Sequence, residues 1–198
     1  MGEISIYTYL DIILICSGIG FVIENIWLVL RYGYFDNRNM NLPFLLGYGM
    51  AVVAIYMLLG TPKDMPDMKY YIMVLILVSA GELILGILVE KICNIYYWDY
   101  SSLPFHLTRY TSLFTSMGFA EIITVFMRFC FPKLVMYLSA NDTVVMKFVG
   151  IVGVIALIFD FLYSFIRMKR TKNHYTKWRV DLIGENLYRK KNGVGQRL

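Results

Sequence analysis

The sequence predicts an all-α protein, a polytopic membrane helix bundle with about five transmembrane helices. Of its 198 residues, 58% are hydrophobic and only 17% are charged, whereas a soluble domain is roughly 45–50% apolar and about 25% charged. The mean hydropathy is +0.58, and the apolar residues gather in stretches near the ~20 residues that a helix needs to cross a bilayer. This composition excludes a soluble protein and leaves no length for a separate soluble domain.

Each predicted transmembrane helix is an apolar stretch bounded by polar residues or proline. Pro62 and Pro66 separate the second and third stretches, and Pro132 is expected to close the fourth because proline removes a backbone donor. The predicted transmembrane domain is therefore residues 1–166, followed by a basic tail at residues 167–198. The five stretches cover approximately residues 5–30, 43–60, 70–90, 107–131 and 144–166.

The charge distribution predicts the orientation of the chain in the cell membrane. Residues 167–198 contain ten Lys/Arg and two Asp/Glu, while the rest of the chain is acidic, so the positive-inside tendency places the C-terminus in the cytoplasm. Tyr175, Trp178 and Leu182 recur at the spacing of a short amphipathic helix. We expect this tail to lie on anionic lipid headgroups; no nucleic-acid-binding fold accompanies it, so nucleic acid is not an expected partner.

Ionisable residues inside the apolar stretches are the main functional signal. A charge at the bilayer centre costs ~2.5–3.5 kcal/mol, so such residues usually face a bundle interior or a wet cavity. The sequence predicts an acidic polar cavity that opens to the cytoplasm and binds a cation, a proton or a charged headgroup; the alternative is a set of ion pairs that only hold helices together. The candidate binding residues are Glu24, Arg38, Glu82, Glu90, Trp98, Asp99, His106, Arg109 and Glu121.

No spacing motif predicts a catalytic centre, a metal site or a cofactor. The chain has no GxSxG, HExxH or Walker pattern, two isolated histidines, and three distant cysteines without CxxC spacing. An enzyme is therefore the less favoured class. It stays open as a membrane-embedded enzyme that acts on a lipid or isoprenoid headgroup through Glu90, Asp99, His106 and Arg109.

Several ordered blocks resemble a bacterial family of ABC-transporter permeases, small multi-pass membrane proteins with a Trp-Asp-Tyr-Ser signature. The blocks are Glu24, Asn37-Arg38 followed by Pro43-Phe-Leu-Leu-Gly47-Tyr-Gly49, then Glu82, Glu90 and Trp98-Asp-Tyr-Ser101 leading to Arg109. The resemblance implies a permease component of a transport system, with an ATPase subunit supplied in trans. A non-catalytic membrane partner subunit is a further alternative.

Overall fold

A computed structural model describes residues 4–63 and 65–182 as a bundle of helices with two short strands. The strands are β1 (Tyr34–Asp36) and β2 (Arg179–Asp181). The prediction of an all-α bundle is confirmed, because a helix lies within each of the five predicted stretches. The helices are α1 (Ile6–Tyr32), α2 (Leu46–Leu59), α3 (Asp67–Cys93), α4 (Leu113–Val125), α5 (Phe131–Ala140) and α6 (Val144–Thr171).

Four helical rods are long and apolar enough to cross a membrane. Three of them are α1, α3 and α6, and the fourth consists of α4 and α5 joined through a π-helical turn at Phe126–Cys130. The expectation that Pro132 ends this helix is wrong. Proline disrupts the regular hydrogen-bond ladder, but the wider π-helical turn directly precedes it, and the Phe131 N–H donates to the Phe126 carbonyl. The rod therefore continues to Ala140.

Successive passes, which are α1, α2, α3, the α4–α5 rod and α6, alternate in direction, so the chain crosses the bundle five times. Helices α1 and α6 are parallel, because Gly150 packs against Asp11 and Gly153 packs against Leu14. Residues Tyr32, Cys93 and Thr171 consequently lie at one end of the bundle, from which the tail leaves. We call this the tail end. The start of α1 at Ile6 and the end of α6 at Thr171 therefore lie at opposite ends of the bundle.

The second pass is only partly helical. Helix α2 has 14 residues and spans about 21 Å, less than the ~30 Å hydrocarbon core. It is preceded by a non-helical stretch, residues 37–45, which we call the entry segment. The Leu45 N–H donates to the Ser17 carbonyl at 2.9 Å, and Ser17 lies about 22 Å along α1 from Tyr32. The entry segment thus carries irregular backbone from the tail end to the middle of the bundle.

Two apolar clusters hold these elements together. The larger one lies away from the tail end and includes the fully buried side chains of Ile12, Tyr70 and Phe131. The smaller one joins the ends of α3 and α6 to the tail and consists of Val89, Cys93, Ile95, Met168 and Tyr175. Apolar side chains on the outer faces of the rods remain exposed, as expected for surfaces that face lipid.

The tail does not form the predicted amphipathic helix over Tyr175–Leu182. Helix α6 ends at Lys172, whose φ of 53° is left-handed, and the chain turns back to the bundle. Strand β2 pairs antiparallel with β1, and Phe35 lies opposite Val180. Tyr175 is only 8% exposed because it packs against the ends of α3 and α6. This packing and the strand pairing override the local helical pattern. We call residues 172–182 the tail strap; the rest of the predicted helix lies outside the described residues.

Candidate functional site

Asp160 of α6 anchors the entry segment. Its carboxylate accepts hydrogen bonds from the backbone N–H groups of Asn41 and Leu42 at 3.0 and 2.9 Å and from the Asn41 side-chain amide at 2.7 Å. Irregular backbone at membrane depth needs such partners, because lipid cannot satisfy its donors. Asp160 lies within the fifth apolar stretch, but its role does not follow from the sequence, since 119 residues separate it from Asn41.

The tail strap is fixed to the entry segment by side-chain amides. The Asn37 amide nitrogen donates to the Tyr175 carbonyl at 3.0 Å, and its amide oxygen accepts from the Lys177 N–H at 2.9 Å. The Asn39 amide oxygen accepts from the Tyr175 N–H at 2.9 Å, and the Tyr175 hydroxyl donates to Asn41 at 2.6 Å. The strap therefore covers the entry segment at the tail end.

Glu24 of α1 forms the best-buried ion pair among the predicted site residues. Its carboxylate lies 3.2 Å from an Arg38 nitrogen and accepts the Tyr48 hydroxyl at 2.5 Å. The Arg38 and Glu24 side chains are only 16% and 18% exposed. Arg38 has a φ of 46°, a left-handed conformation that costs on the order of 1–3 kcal/mol and persists only where its surroundings hold it. The Tyr97 hydroxyl holds it through the Arg38 carbonyl at 3.1 Å.

Glu82 lies at the middle of α3 and contacts hydroxyl groups. Its carboxylate accepts the buried Ser116 hydroxyl at 2.6 Å and faces the Tyr100 hydroxyl at 3.5 Å. Within residues 4–63 and 65–182, no basic side chain forms a salt bridge with it. Glu82 thus differs from Glu24, whose charge is offset by an arginine.

Glu90 pairs with a tyrosine in the same way as Glu24. The Tyr110 hydroxyl donates to the Glu90 carboxylate, and its ring crosses α3 at Gly86. Tyr48 crosses α1 at Gly20, so each glutamate follows a glycine by four residues in a Gly-x-x-x-Glu pattern. A Cβ at Gly20 would lie 2.3 Å from the Tyr48 ring, and one at Gly86 would lie 2.6 Å from the Tyr110 ring. Glycine is required at both positions for the tyrosine to reach the carboxylate.

The loop at residues 94–112 carries four further predicted residues at the tail end. Asp99 pairs with Arg109 at 3.5 Å, and the Trp98 ring N–H donates to the Tyr110 carbonyl at 2.8 Å. His106 Nδ1 lies 3.0 Å from a backbone carbonyl of the same loop. Partial burial raises the pKa of Asp99, but hydrogen bonds from Ser101 and the charges of Arg109 and His106 outweigh it, and the pKa lies below its usual range.

The structure does not bring Glu121 to the other candidates. Its side chain is exposed on α4 and, within the described part of the chain, forms no hydrogen bond or ion pair. A cavity of about 330 Å³ lies on the outer face of α1 and is lined by apolar side chains, with Val22, Ile26 and Trp178 among them. This cavity is separate from Glu24 and Glu90, whose carboxylates are in direct contact with tyrosine side chains. The predicted polar cavity stays a prediction.

The comparisons with known proteins agree with this architecture. No curated protein and no solved structure matches the chain. One family model, described as "Putative ABC-transporter type IV", matches residues 12–165. That match covers more than three quarters of the chain, includes every predicted site residue and Asp160, and stops before the tail strap. The resemblance noted in the sequence is confirmed, and the chain belongs to this ABC-transporter family of membrane proteins.

Proposed function

We propose that the chain is the membrane-embedded permease component of a transport system. Its site consists of Glu24, Arg38, Tyr48, Glu82 and Glu90, which lie on the path of the substrate or its coupling ion. The observation that carries this proposal is the entry segment, which makes the second pass discontinuous. Discontinuous passes place backbone groups and charged side chains at the midplane, where transporters build their binding sites.

The charge balance of the site favours a cationic ligand. Glu24, Glu82 and Glu90 contribute three carboxylates, and Arg38 is paired with the first of them. Hydroxyl groups of Tyr48, Ser116 and Tyr110 turn toward these carboxylates. Such an acidic, hydroxyl-rich environment attracts a cation or a proton and repels an anion.

The contacts described above correspond to a closed state, in which the carboxylates of the site are hydrogen-bonded to neighbouring side chains. Opening at the tail end requires the entry segment to move away from Glu24. Asp160 and the tail strap hold that segment through hydrogen bonds alone, so it can move without unwinding a helix. A hinge of this kind at a functional site is typical of gating motions.

Orientation and partners follow from the same proposal. We place the tail end in the cytoplasm because of the ten basic residues that follow Ile166. An ATPase subunit supplied in trans then docks at this end, as family membership implies. The basic residues near the membrane surface also attract anionic headgroups, with about 1 kcal/mol for each Lys or Arg.

Cysteine labelling tests whether the site opens at the tail end. We would replace Cys16, Cys93 and Cys130 with serine, introduce Asn41→Cys, and label vesicles of known orientation with a membrane-impermeant maleimide. Labelling from the tail end alone supports the proposal, and labelling from the opposite end alone contradicts it. Met57→Cys, on the exposed apolar face of α2, is the control that should stay unlabelled from both ends.

A second candidate function is favoured by the loop at residues 94–112. Asp99, His106 and Arg109 are exposed together at the tail end, at the level of lipid headgroups. They are the side chains expected for an enzyme that acts on a lipid or isoprenoid headgroup. Copurification from a mild detergent extract separates the two functions: an ATPase subunit supports transport, and a stoichiometric bound lipid supports the enzyme.

A further inference from the structure

Among the residues that the structure describes, none forms an ion pair with the Glu82 carboxylate, which lies where a charge is costly. It lies about 16 Å along α3 from Cys93, near the middle of a 27-residue helix. Its two contacts are the hydroxyls of Ser116, at 2.6 Å, and Tyr100, at 3.5 Å. An ionised carboxylate at this depth is costly unless a counter-charge or a proton offsets it.

The neighbouring elements supply no counter-charge. From α1, Glu24 places a second negative charge within electrostatic range of Glu82, and its own partner, Arg38, is already paired with it. From α2 comes the uncharged Tyr48, which donates to Glu24. From α4 come Ser116 and Thr115, which are uncharged; the acidic residue of α6, Asp160, binds the entry segment instead. Each of these neighbours is neutral, acidic or already paired.

We propose that Glu82 is a proton-binding site that is occupied in the closed state. Its carboxylate takes one proton from a hydronium ion, whose O–H bond breaks to leave water, and becomes a neutral carboxylic acid; it returns that proton to water when the site opens. A protonated carboxyl can donate to the Ser116 hydroxyl, because a hydroxyl both donates and accepts. One carboxylate with two hydroxyls suits a proton better than a metal ion, which needs more ligands.

A route for this proton runs toward the tail end. Tyr100 belongs to the loop at residues 94–112, and its backbone N–H donates to the Arg109 carbonyl at 2.8 Å. Its hydroxyl extends from that loop to Glu82. A tyrosine hydroxyl can accept a proton on one side and donate one on the other. We expect the proton to reach Glu82 through the Tyr100 hydroxyl while the site is closed to larger ligands.

Infrared spectroscopy of the full chain in lipid nanodiscs tests the proposal directly. At pH 7 the wild-type protein should show the carbonyl band of a protonated carboxyl group. Glu82→Gln should lose that band, and the control Asp142→Asn should keep it, because Asp142 lies between α5 and α6 and pairs with Lys147 at 3.0 Å. Identical bands in wild-type and Glu82→Gln protein from pH 5 to pH 8 would overturn the proposal.

A second variant covers the case in which Glu82→Gln fails to fold. Ser116→Ala removes the closest hydrogen-bond partner, so it should shift the frequency of the Glu82 band; an unshifted band contradicts the proposal. The presence of a proton on Glu82 does not depend on the proposed transport function. Only the coupling of that proton to transport rests on it. A Glu82-dependent band in a protein that neither transports nor binds an ATPase would keep the proton site and reject the transport function.

Discussion

Gly20 and Gly86 show how single residues determine the candidate site. Each glycine leaves a gap on a helix surface through which a tyrosine reaches the glutamate four residues later. Gly47 and Gly81 also lie within helices, yet a Cβ at either position would meet nothing within 4 Å. Gly47 and Gly81 can therefore serve as controls for Gly20 and Gly86, because no side chain in the described part of the chain packs against them.

Alanine at these positions should change stability in opposite directions. Gly20→Ala should lower the melting temperature in detergent, because its Cβ collides with the Tyr48 ring and breaks the contact with Glu24. Gly47→Ala should raise the free energy of unfolding by up to ~1 kcal/mol, since alanine favours the helix. Thermal unfolding followed by circular dichroism measures both, and equal effects would refute the proposed contact.

Arg38 and Glu24 allow a test of whether the pair binds a ligand or only holds helices together. Arg38→Met should destabilise the protein by about 3 kcal/mol, because it leaves a buried carboxylate unpaired. The double variant with Glu24→Gln should recover most of this loss, since glutamine still accepts the Tyr48 hydroxyl. We expect transport to stay low in the double variant. Full recovery of both stability and transport would show that the pair is only structural.

The entry segment and the tail strap are the elements whose conformations depend on each other. Asn37 joins them through hydrogen bonds to Tyr175 and Lys177. Strand β2 has only three residues, and a two-stranded ribbon is marginally stable by itself. The strap therefore depends on the asparagine side chains for its position.

Loss of the Asn37 side chain should release the tail strap without unfolding the bundle. Asn37→Ala removes the amide that fixes Tyr175 and Lys177, so backbone amides of residues 175–182 should exchange with deuterium several-fold faster. Hydrogen-exchange mass spectrometry measures this rate. Asn173→Ala is the control, because Asn173 is exposed and its amide donates to the nearby Thr171 carbonyl. Unchanged exchange in Asn37→Ala would show that the Asn37 side chain does not hold the tail strap in place.

At the scale of the whole molecule, the proposed five passes predict that the two termini lie on opposite sides of the membrane. A reporter that fluoresces only in the cytoplasm should therefore be bright when it is attached after Leu198 and dark when it is attached before Met1. The opposite result would reverse the orientation and move the candidate site to the outer face. Equal brightness at both ends would rule out an odd number of passes.

The amino-acid sequence by itself determined the class of the protein and the approximate positions of the five apolar stretches in which helices form. This was possible because transfer of apolar side chains into lipid depends on local composition. The sequence also identified Glu24, Glu82 and Glu90, since a charge within an apolar stretch is visible without any knowledge of the fold.

Only the tertiary structure decided how these residues are partnered. Glu24 pairs with Arg38, while Glu90 binds Tyr110 and Glu82 binds Ser116; contacts across a bundle do not follow from spacing along the chain. The same reason explains the tail, where the helical spacing of Tyr175 was real but long-range hydrogen bonds to Asn37 and Asn39 prevailed. Local pattern predicts a helix only where no distant partner competes for the backbone.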